Sequence, residues 1–266
     1  MPAHACTVSQ LLSPGNTTTG LTLSVISHGH EDCLRTLLTQ LARTADGGAL
    51  QHVIVTHNLP AAALPPPPGG WPFRLTECHN PQPAGFGANH NRAFALCDTP
   101  FFGVLNPDLE DLTEQLWPRL LAAAAQPGVG CAYPVLRNLD GSVQDSERAV
   151  PTPLSLWRRY TRRRPEQRDW VNAACWVLRS EVWHQLGGFD EGYFLYCEDV
   201  DFCLRLQLAG YRLERAATEL THHAQRSSHR RLRYVLLHLG SLWRLWRTAP
   251  FYRFRSAQAA GRLPQP

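Results

Sequence analysis

Glu198-Asp199-Val200-Asp201 puts three carboxylates within four residues. Like charges this close repel one another and are costly to bury. A helix N-terminus offsets part of that cost. Beside the aromatic residues Tyr193, Phe194 and Tyr196, such acids sit against a partly apolar wall, where one can gain a raised pKa and act as a general base. For Asp201 the alternative is an i,i+4 pair with Arg205. Asp108 closes an apolar run in Asn106-Pro107-Asp108. A carboxylate there can ligate a hard cation and leave positions for a diphosphate and water, or it can cap the next turn.

Gly85-Phe86-Gly87-Ala88-Asn89-His90-Asn91-Arg92 is a third candidate. Two glycines let backbone N–H groups approach a phosphate or ribose, and a helix start favours an anion. Asn89, Asn91 and Arg92 add donors. The spacing is not GxGxxG, which disfavours a Rossmann dinucleotide site, and a plain glycine turn capped by Asn is the alternative. His222-His223, with His229 beyond, is the fourth. Adjacent histidines in a regular element cannot both face one ion, so at most one is a ligand. His223 and His229 are read as bystanders.

These residues need elements to hold them. Leu21–Ser27 and Val53–Val55 read as short apolar strands, and Leu34, Leu37, Leu38 and Leu41 between them have helical spacing. Strand, helix and strand of this length make a βαβ unit with a parallel sheet. Polar residues follow the strand ends, where open α/β sheets bind ligands. Phe101–Leu105 is another buried strand, Leu112–Ala125 a helix, and residues 129–136 a strand. Residues 137–169 read as polar, Arg-rich and irregular, and residues 1–20 as a flexible tail. Trp170–Arg179 is strand-like, Val200–Ala209 helical, and Leu232–Trp246 a last helix with an apolar and aromatic face. No internal repeat is present.

The chain has 266 residues, 44% hydrophobic and 18% charged, which excludes disorder and suits one large domain. Its net charge of +4 is mild and argues against a dedicated nucleic-acid binder. All 26 basic residues are Arg, a bias that fits a GC-rich genome. No acidic residue follows Glu219, whereas eight Arg lie between Arg226 and Arg255. One-sided charge of this kind faces an anionic partner such as phosphate or lipid. The eight Cys match no zinc module and form no CxxC pair, and they read as reduced cytosolic thiols. Neither a signal peptide nor a run of about 18 apolar residues is evident.

Taken together, the motifs resemble those of the family 2 inverting glycosyltransferases with the GT-A fold. The segment Gly187-Gly188-Phe189-Asp190-Glu191-Gly192-Tyr193-Phe194-Leu195-Tyr196-Cys197-Glu198-Asp199-Val200-Asp201-Phe202-Cys203-Leu204-Arg205 is similar to a characteristic stretch of that family over nearly its whole length. Leu105-Asn106-Pro107-Asp108 resembles its DxD metal motif, and Asn80 with Gly85–Asn91 its nucleotide loop. The resemblance spans roughly residues 21–247. Asp145-Ser146-Glu147-Arg148 with Pro151-Thr152-Pro153 points to bacterial rhamnosyltransferase-like enzymes of surface polysaccharide assembly.

The resemblance implies an α/β GT-A fold: a Rossmann-like, mostly parallel central sheet flanked by helices, with a C-terminal helical extension. It implies a nucleotide-sugar half over 21–136, an acceptor and catalytic half over 137–225, and a basic aromatic extension over 226–266. Asp199 would be the general base and Glu198 the runner-up. Asp108 and His222 would hold Mg²⁺ or Mn²⁺. Ser27, His28, Glu31, Asn58, Asn80, Gly85, Gly87, Asn89, Asn91, Arg92 and Asn106 would line the nucleotide-sugar site. Trp170, Asn172 and Tyr196 would meet the acceptor or donor sugar. The implied partners are a nucleoside diphosphate sugar and a glycan or lipid-linked acceptor, with no nucleic acid. The implied place is the cytoplasm, with contact to the inner membrane surface through the basic C-terminal region.

Three positions depart from the family. The first strand ends in Ser27-His28-Gly29-His30 rather than TYN. His57, followed by Asn58, stands where an Asp often reads the pyrimidine. Asn106 replaces the first acid of DxD. A nucleotidyltransferase, a non-catalytic sugar-nucleotide-binding protein and an RNA-binding protein are the competing classes. The altered Ser27–His30 and Asn106 keep the non-catalytic protein open, an RNA-binding protein leaves the carboxylate cluster around Asp199 unexplained, and a nucleotidyltransferase gives no reason for the Glu198-Asp199 site beyond the sheet.

Overall fold

The apolar runs at residues 21–27 and 53–55 become adjacent strands within one sheet. The computed structural model describes residues 5–8, 19–45, 48–161, 168–223 and 232–264. In chain order the first half comprises β1 (Ala5–Val8), β2 (Leu21–Ser27), α1 (Glu31–Thr44), β3 (Leu50–His57), β4 (Arg74–His79), α2 (Phe86–Phe94), β5 (Phe101–Leu105), β6 (Leu109–Glu110) and α3 (Leu116–Ala124). The second half comprises β7 (Val129–Arg137), β8 (Glu147–Arg148), α4 (Pro153–Tyr160), β9 (Trp170–Val171), β10 (Cys175–Arg179), α5 (Ser180–Leu186), α6 (Glu198–Leu208), β11 (Arg212–His222), α7 (Leu232–Leu245) and α8 (Ala249–Ala259).

Nine strands form one sheet in the order β1-β4-β3-β2-β5-β10-β7-β11-β6. From β4 through β3 and β2 to β5 every pairing is parallel. Strand β10 runs antiparallel to β5 and β7, and β7 pairs parallel with β11. Helices cover both faces, so β2 is buried at every residue but Ile26, which is half-buried. On one face α1 buries Leu34, Leu37, Leu38 and Leu41, the stripe its spacing predicts. Glu31 and Asp32 in its first turn and Arg43 in its last complement the helix dipole.

The other face holds an aromatic core of Phe102, Trp176, Trp183, Phe189 and Phe202. It fixes the turn after α5 against α2 and α6. At that turn Gly187 and Gly188 have φ of 71° and 68°. A Cβ on Gly188 would lie 2.2 Å from Asn91 Oδ1, whereas one on Gly187 would meet nothing within 4 Å. Asn91 cannot yield easily, because its side chain accepts from Phe189 N and donates to Phe189 O. We therefore expect Gly188→Ala to cost about 2–4 kcal/mol, backbone strain plus overpacking, and Gly187→Ala about 1–2 kcal/mol, strain alone. Urea unfolding of the two variants checks the difference.

Four expectations need correction. Residues 5–8 are not tail but strand β1, paired antiparallel with β4. Cys6 lies directly opposite Cys78 in that pair, and the two are joined as a disulfide, so the eight cysteines are not all free thiols. Their separation of 72 residues hides the pairing from any spacing rule. The stretch 137–169 contains β8 and α4, the latter started by a Thr152–Ser155 capping box. Trp170–Arg179 is two strands, because β9 pairs with β8 in a separate ribbon while β10 joins the main sheet. Among the described residues no helix is long and apolar enough to cross a membrane.

Candidate active site

The chain enters α6 through two consecutive left-handed residues, Tyr196 (φ 71°) and Cys197 (φ 66°). Non-glycine residues rarely adopt this conformation, and it persists only where the surroundings enforce it. Here Tyr193 and Cys197 are buried and Ser241 Oγ on α7 donates to Leu195 O at 2.7 Å. The result places Glu198 and Asp199 at the N-terminus of α6, in the wall of a cleft of about 840 Å³.

The two acids differ. Glu198 is 5% exposed and its Oε2 has no hydrogen-bond partner. Burial, reinforced by Asp199 beside it, drives its pKa well above the ordinary value. Asp199 is half-buried and its Oδ1 accepts from Val200 N at 2.8 Å. Burial lifts its pKa to about 6, with that backbone N–H and the Arg148 charge pulling the other way. Asp199, with a backbone N–H and the Arg148 charge on its side, is therefore the more readily ionised of the two. Asp201 turns away: it is bound by Arg205 Nε at 2.7 Å, and Arg205 also donates to Leu186 O and Gly188 O. Its i,i+4 pairing with Arg205 is thus the one realised.

Asp108 follows β5 and meets the end of β11. Its backbone O accepts from His223 N at 2.9 Å, and its Oδ1 lies 3.3 Å from His222 Nε2. That oxygen is buried without a hydrogen bond. His222 Nδ1 is 2.8 Å from Gln144 Oε1. An amide oxygen only accepts, so Nδ1 carries a proton and Nε2 is the ring nitrogen that faces Asp108. An orphaned carboxylate oxygen beside an imidazole nitrogen held in this way fits a divalent cation. His223 points elsewhere, to Glu110 at 2.8 Å. Gln144 also lines the cleft of Glu198 and Asp199, which links the two acidic stretches.

On the far side of β2, three asparagines hold one another. Asn80 Nδ2 donates to Asn58 Oδ1 at 2.8 Å and to Asn89 Oδ1 at 2.7 Å. Asn58 Oδ1 also accepts from Ala84 N, and its Nδ2 reaches Ala84 O and His28 Nδ1. Asn89 is fully buried, so its amide shapes the loop over 81–85 from below. Gly85 and Gly87 serve close packing: a Cβ on Gly85 would lie 2.9 Å from Phe194 O, and one on Gly87 2.7 Å from Phe189 Cβ. His90, fully buried, bonds Ser24 on β2, and burial pushes its pKa down to about 3, so the ring is neutral. Ser27 is buried beneath the turn and accepts from His30 N, Glu31 starts α1, Asn106 is half-buried, and Arg92 and His28 are exposed. The structure thus gathers Ser27, His28, Asn58, Asn80 and Asn89 near the ends of β2–β4, and it turns Asn91 toward the Gly188–Glu191 turn instead.

Trp170, Asn172 and Tyr196 all line the cleft. Trp170 donates Nε1–H to Ala149 O and lies under the Arg148 guanidinium, 5.1 Å from its ring centre. Asn172 Oδ1 has no partner. Arg148, Arg159, Arg168 and Tyr234 stand in the same wall, and sequence reasoning missed Gln144 and Arg215 there and Val235, His238 and Leu239 of α7. The Asp145–Arg148 motif was the available signal, but it lay in a stretch read as irregular.

The class follows from this frame: the chain has the GT-A fold of glycosyltransferases. It superposes on the mannosyltransferase PcManGT of Pyrobaculum calidifontis, solved with GDP-Man and Mn²⁺, with a TM-score of 0.59 at 15% identity over 94% of this chain and 73% of that one. More particularly, parts of its sequence are similar to parts of rhamnosyltransferases. It is 33% identical over 147 residues to the N-acetylglucosaminyl-diphospho-decaprenol L-rhamnosyltransferase of Mycobacterium tuberculosis, a match covering 48% of each chain. It is 44% identical over 63 residues to the rhamnosyltransferase WbbL of Escherichia coli, covering 22% of this chain and 24% of that one. The chain thus matches about half the length of the first relative and about a quarter of the second. No protein-family model matches it.

Proposed function

We propose that the chain is an inverting glycosyltransferase that moves a sugar, L-rhamnose from dTDP-rhamnose in the first instance, from a nucleoside diphosphate to a hydroxyl of a glycan or lipid-linked acceptor. The observation that carries this reading is Gln144, which lines the cleft of Asp199 and binds His222 beside Asp108. Residues 21–136 would hold the donor and 137–225 the acceptor, with the extension over 226–266 beside the acceptor.

Asp199 takes the proton of the acceptor hydroxyl as its oxygen attacks the anomeric carbon, and the nucleoside diphosphate leaves from the opposite face. Asp108 and His222 would hold Mg²⁺ or Mn²⁺, which supplies positive charge to the diphosphate as it leaves. Asn58, Asn80 and Asn89 keep the loop over 81–85 in shape for the nucleoside.

The acceptor side favours a substrate with both phosphate and hydrocarbon. Arg148, Arg159, Arg168 and Arg215 share the wall with Tyr234, Val235, Leu239 and Leu242. Outside it, α7 exposes Leu232, Leu236 and Trp243, which suits contact with the cytoplasmic face of the inner membrane when set beside Arg233 and Arg247.

A thermal-shift panel of dTDP-rhamnose, UDP-sugars and GDP-sugars with and without Mn²⁺ tests the proposal. At a hundredfold excess over Kd a true donor adds about 2.7 kcal/mol, or roughly 5–10 °C. The shift is expected for one nucleotide class and only with Mn²⁺. A panel with no shift refutes the assignment.

A further inference from the structure

Strands β3 and β4 run parallel with His57 opposite His79 and Val55 opposite Glu77. Side chains alternate along a strand, so His57, Glu77 and His79 emerge on one face. Each can offer a ligand atom, and the three atoms lie within 4.8 Å of one another. His57 is 1% exposed and Glu77 5%, while His79 is half-buried.

The group is already organised. Glu77 Oε2 lies 3.0 Å from His57 Nε2, and both carboxylate oxygens accept from Leu64 N at 3.2 and 3.1 Å. The two imidazoles stack with centroids 4.6 Å apart and planes inclined by 13°. His57 Nδ1 has no partner at all. Nothing in the transfer chemistry uses two histidines and a glutamate at this depth. The strand β2 separates them from β5 and the Asp108 stretch, so they form a different centre.

We propose that His57, Glu77 and His79 form a second metal site, for a borderline divalent cation of the zinc type. Two imidazoles and one carboxylate are the donor set such ions take, whereas Mg²⁺ prefers oxygen alone. A tetrahedral site spaces its ligand atoms by about 3.3 Å. The His57–Glu77 pair has that spacing, and His79, the least buried of the three, is the one that closes in. The fourth position goes to water. The bound ion would clamp the ends of β3 and β4 together, immediately before Asn58 and Asn80, and hold Leu64 across them. It is independent of the transfer reaction and stands or falls without it.

The test uses the full chain stripped with EDTA, loaded with ZnCl₂, dialysed and measured for metal content. In the Asp108→Asn background, which removes the other candidate site, the protein should retain one zinc equivalent more than the same protein carrying His79→Asn as well. Zinc should raise the unfolding temperature of the first but not of the second. Equal zinc in the two overturns the site. Should His79→Asn not fold by circular dichroism, Co²⁺ added to the unmutated protein decides: visible d–d bands of a tetrahedral ion, unchanged in Asp108→Asn, support the site, and their absence overturns it.

Discussion

Asp199→Asn lowers turnover by about 10²–10⁴-fold or more, the usual worth of a general base, while donor affinity stays within a small factor. The amide keeps the shape and the bond from Val200 N but cannot take a proton. The pH dependence has a definite sign. Asp199 must be ionised to act, and its pKa is raised to about 6. The rate at low substrate therefore falls about tenfold per pH unit below that value and levels off above it. Stability moves the other way. A carboxyl whose folded pKa lies above its unfolded value loses stabilisation as pH climbs from the unfolded pKa through the folded one. At pH 7 and above, Asp199→Asn should thus melt no lower than the parent while being nearly inactive. Glu198→Gln is the control, since it leaves the Asp199 carboxylate in place and should retain an acid limb. Near-normal turnover in Asp199→Asn, or an inactive protein that also melts far lower, rejects the base assignment.

Asp108→Ala is expected to remove Mn²⁺-dependent donor binding and to reduce kcat/KM by about 10²–10³-fold, the scale seen when one group that stabilises leaving charge is deleted. The variant leaves His222 Nε2 without its 3.3 Å neighbour. Gln144→Leu should act through the same centre more mildly, about 10–100-fold in metal affinity, because it frees the imidazole to change tautomer. Calorimetric titration of nucleoside diphosphate at several Mn²⁺ concentrations measures both. A metal response retained in Asp108→Ala would show that the cation, if any, lies elsewhere.

Much of this frame can be read from local patterns. The leucines of α1 and the apolar runs of β2 and β3 carry their own periodicity, and Glu198-Asp199-Val200-Asp201 carries its own chemistry. What escaped depends on long-range pairing. Four residues of β1 have no pattern until β4 lies beside them. Asn80 and Asn89 look like free donors in sequence, yet their amides meet only because β4 and α2 converge. Gln144 is an unremarkable residue until the end of β11 brings His222 to it. Helix α8 reads as a basic tail because its core contacts, Phe251 and Phe254, are too few to give a stripe. The pairing of Glu198 with Asp199 was legible, but which of them would stay charged depends on burial that sequence does not encode.

The borders of the sheet have a wider consequence. One flank is closed by β1, bolted through Cys6 and Cys78, and the other by β6, only two residues long. Unpaired backbone groups at such borders recruit foreign strands, and β6 meets β11 only at Thr221 and His222, so the outer edge of β11 over residues 212–220 has no strand partner among the described residues. Strand addition to this molecule therefore has its longest template on β11, at the border opposite the disulfide.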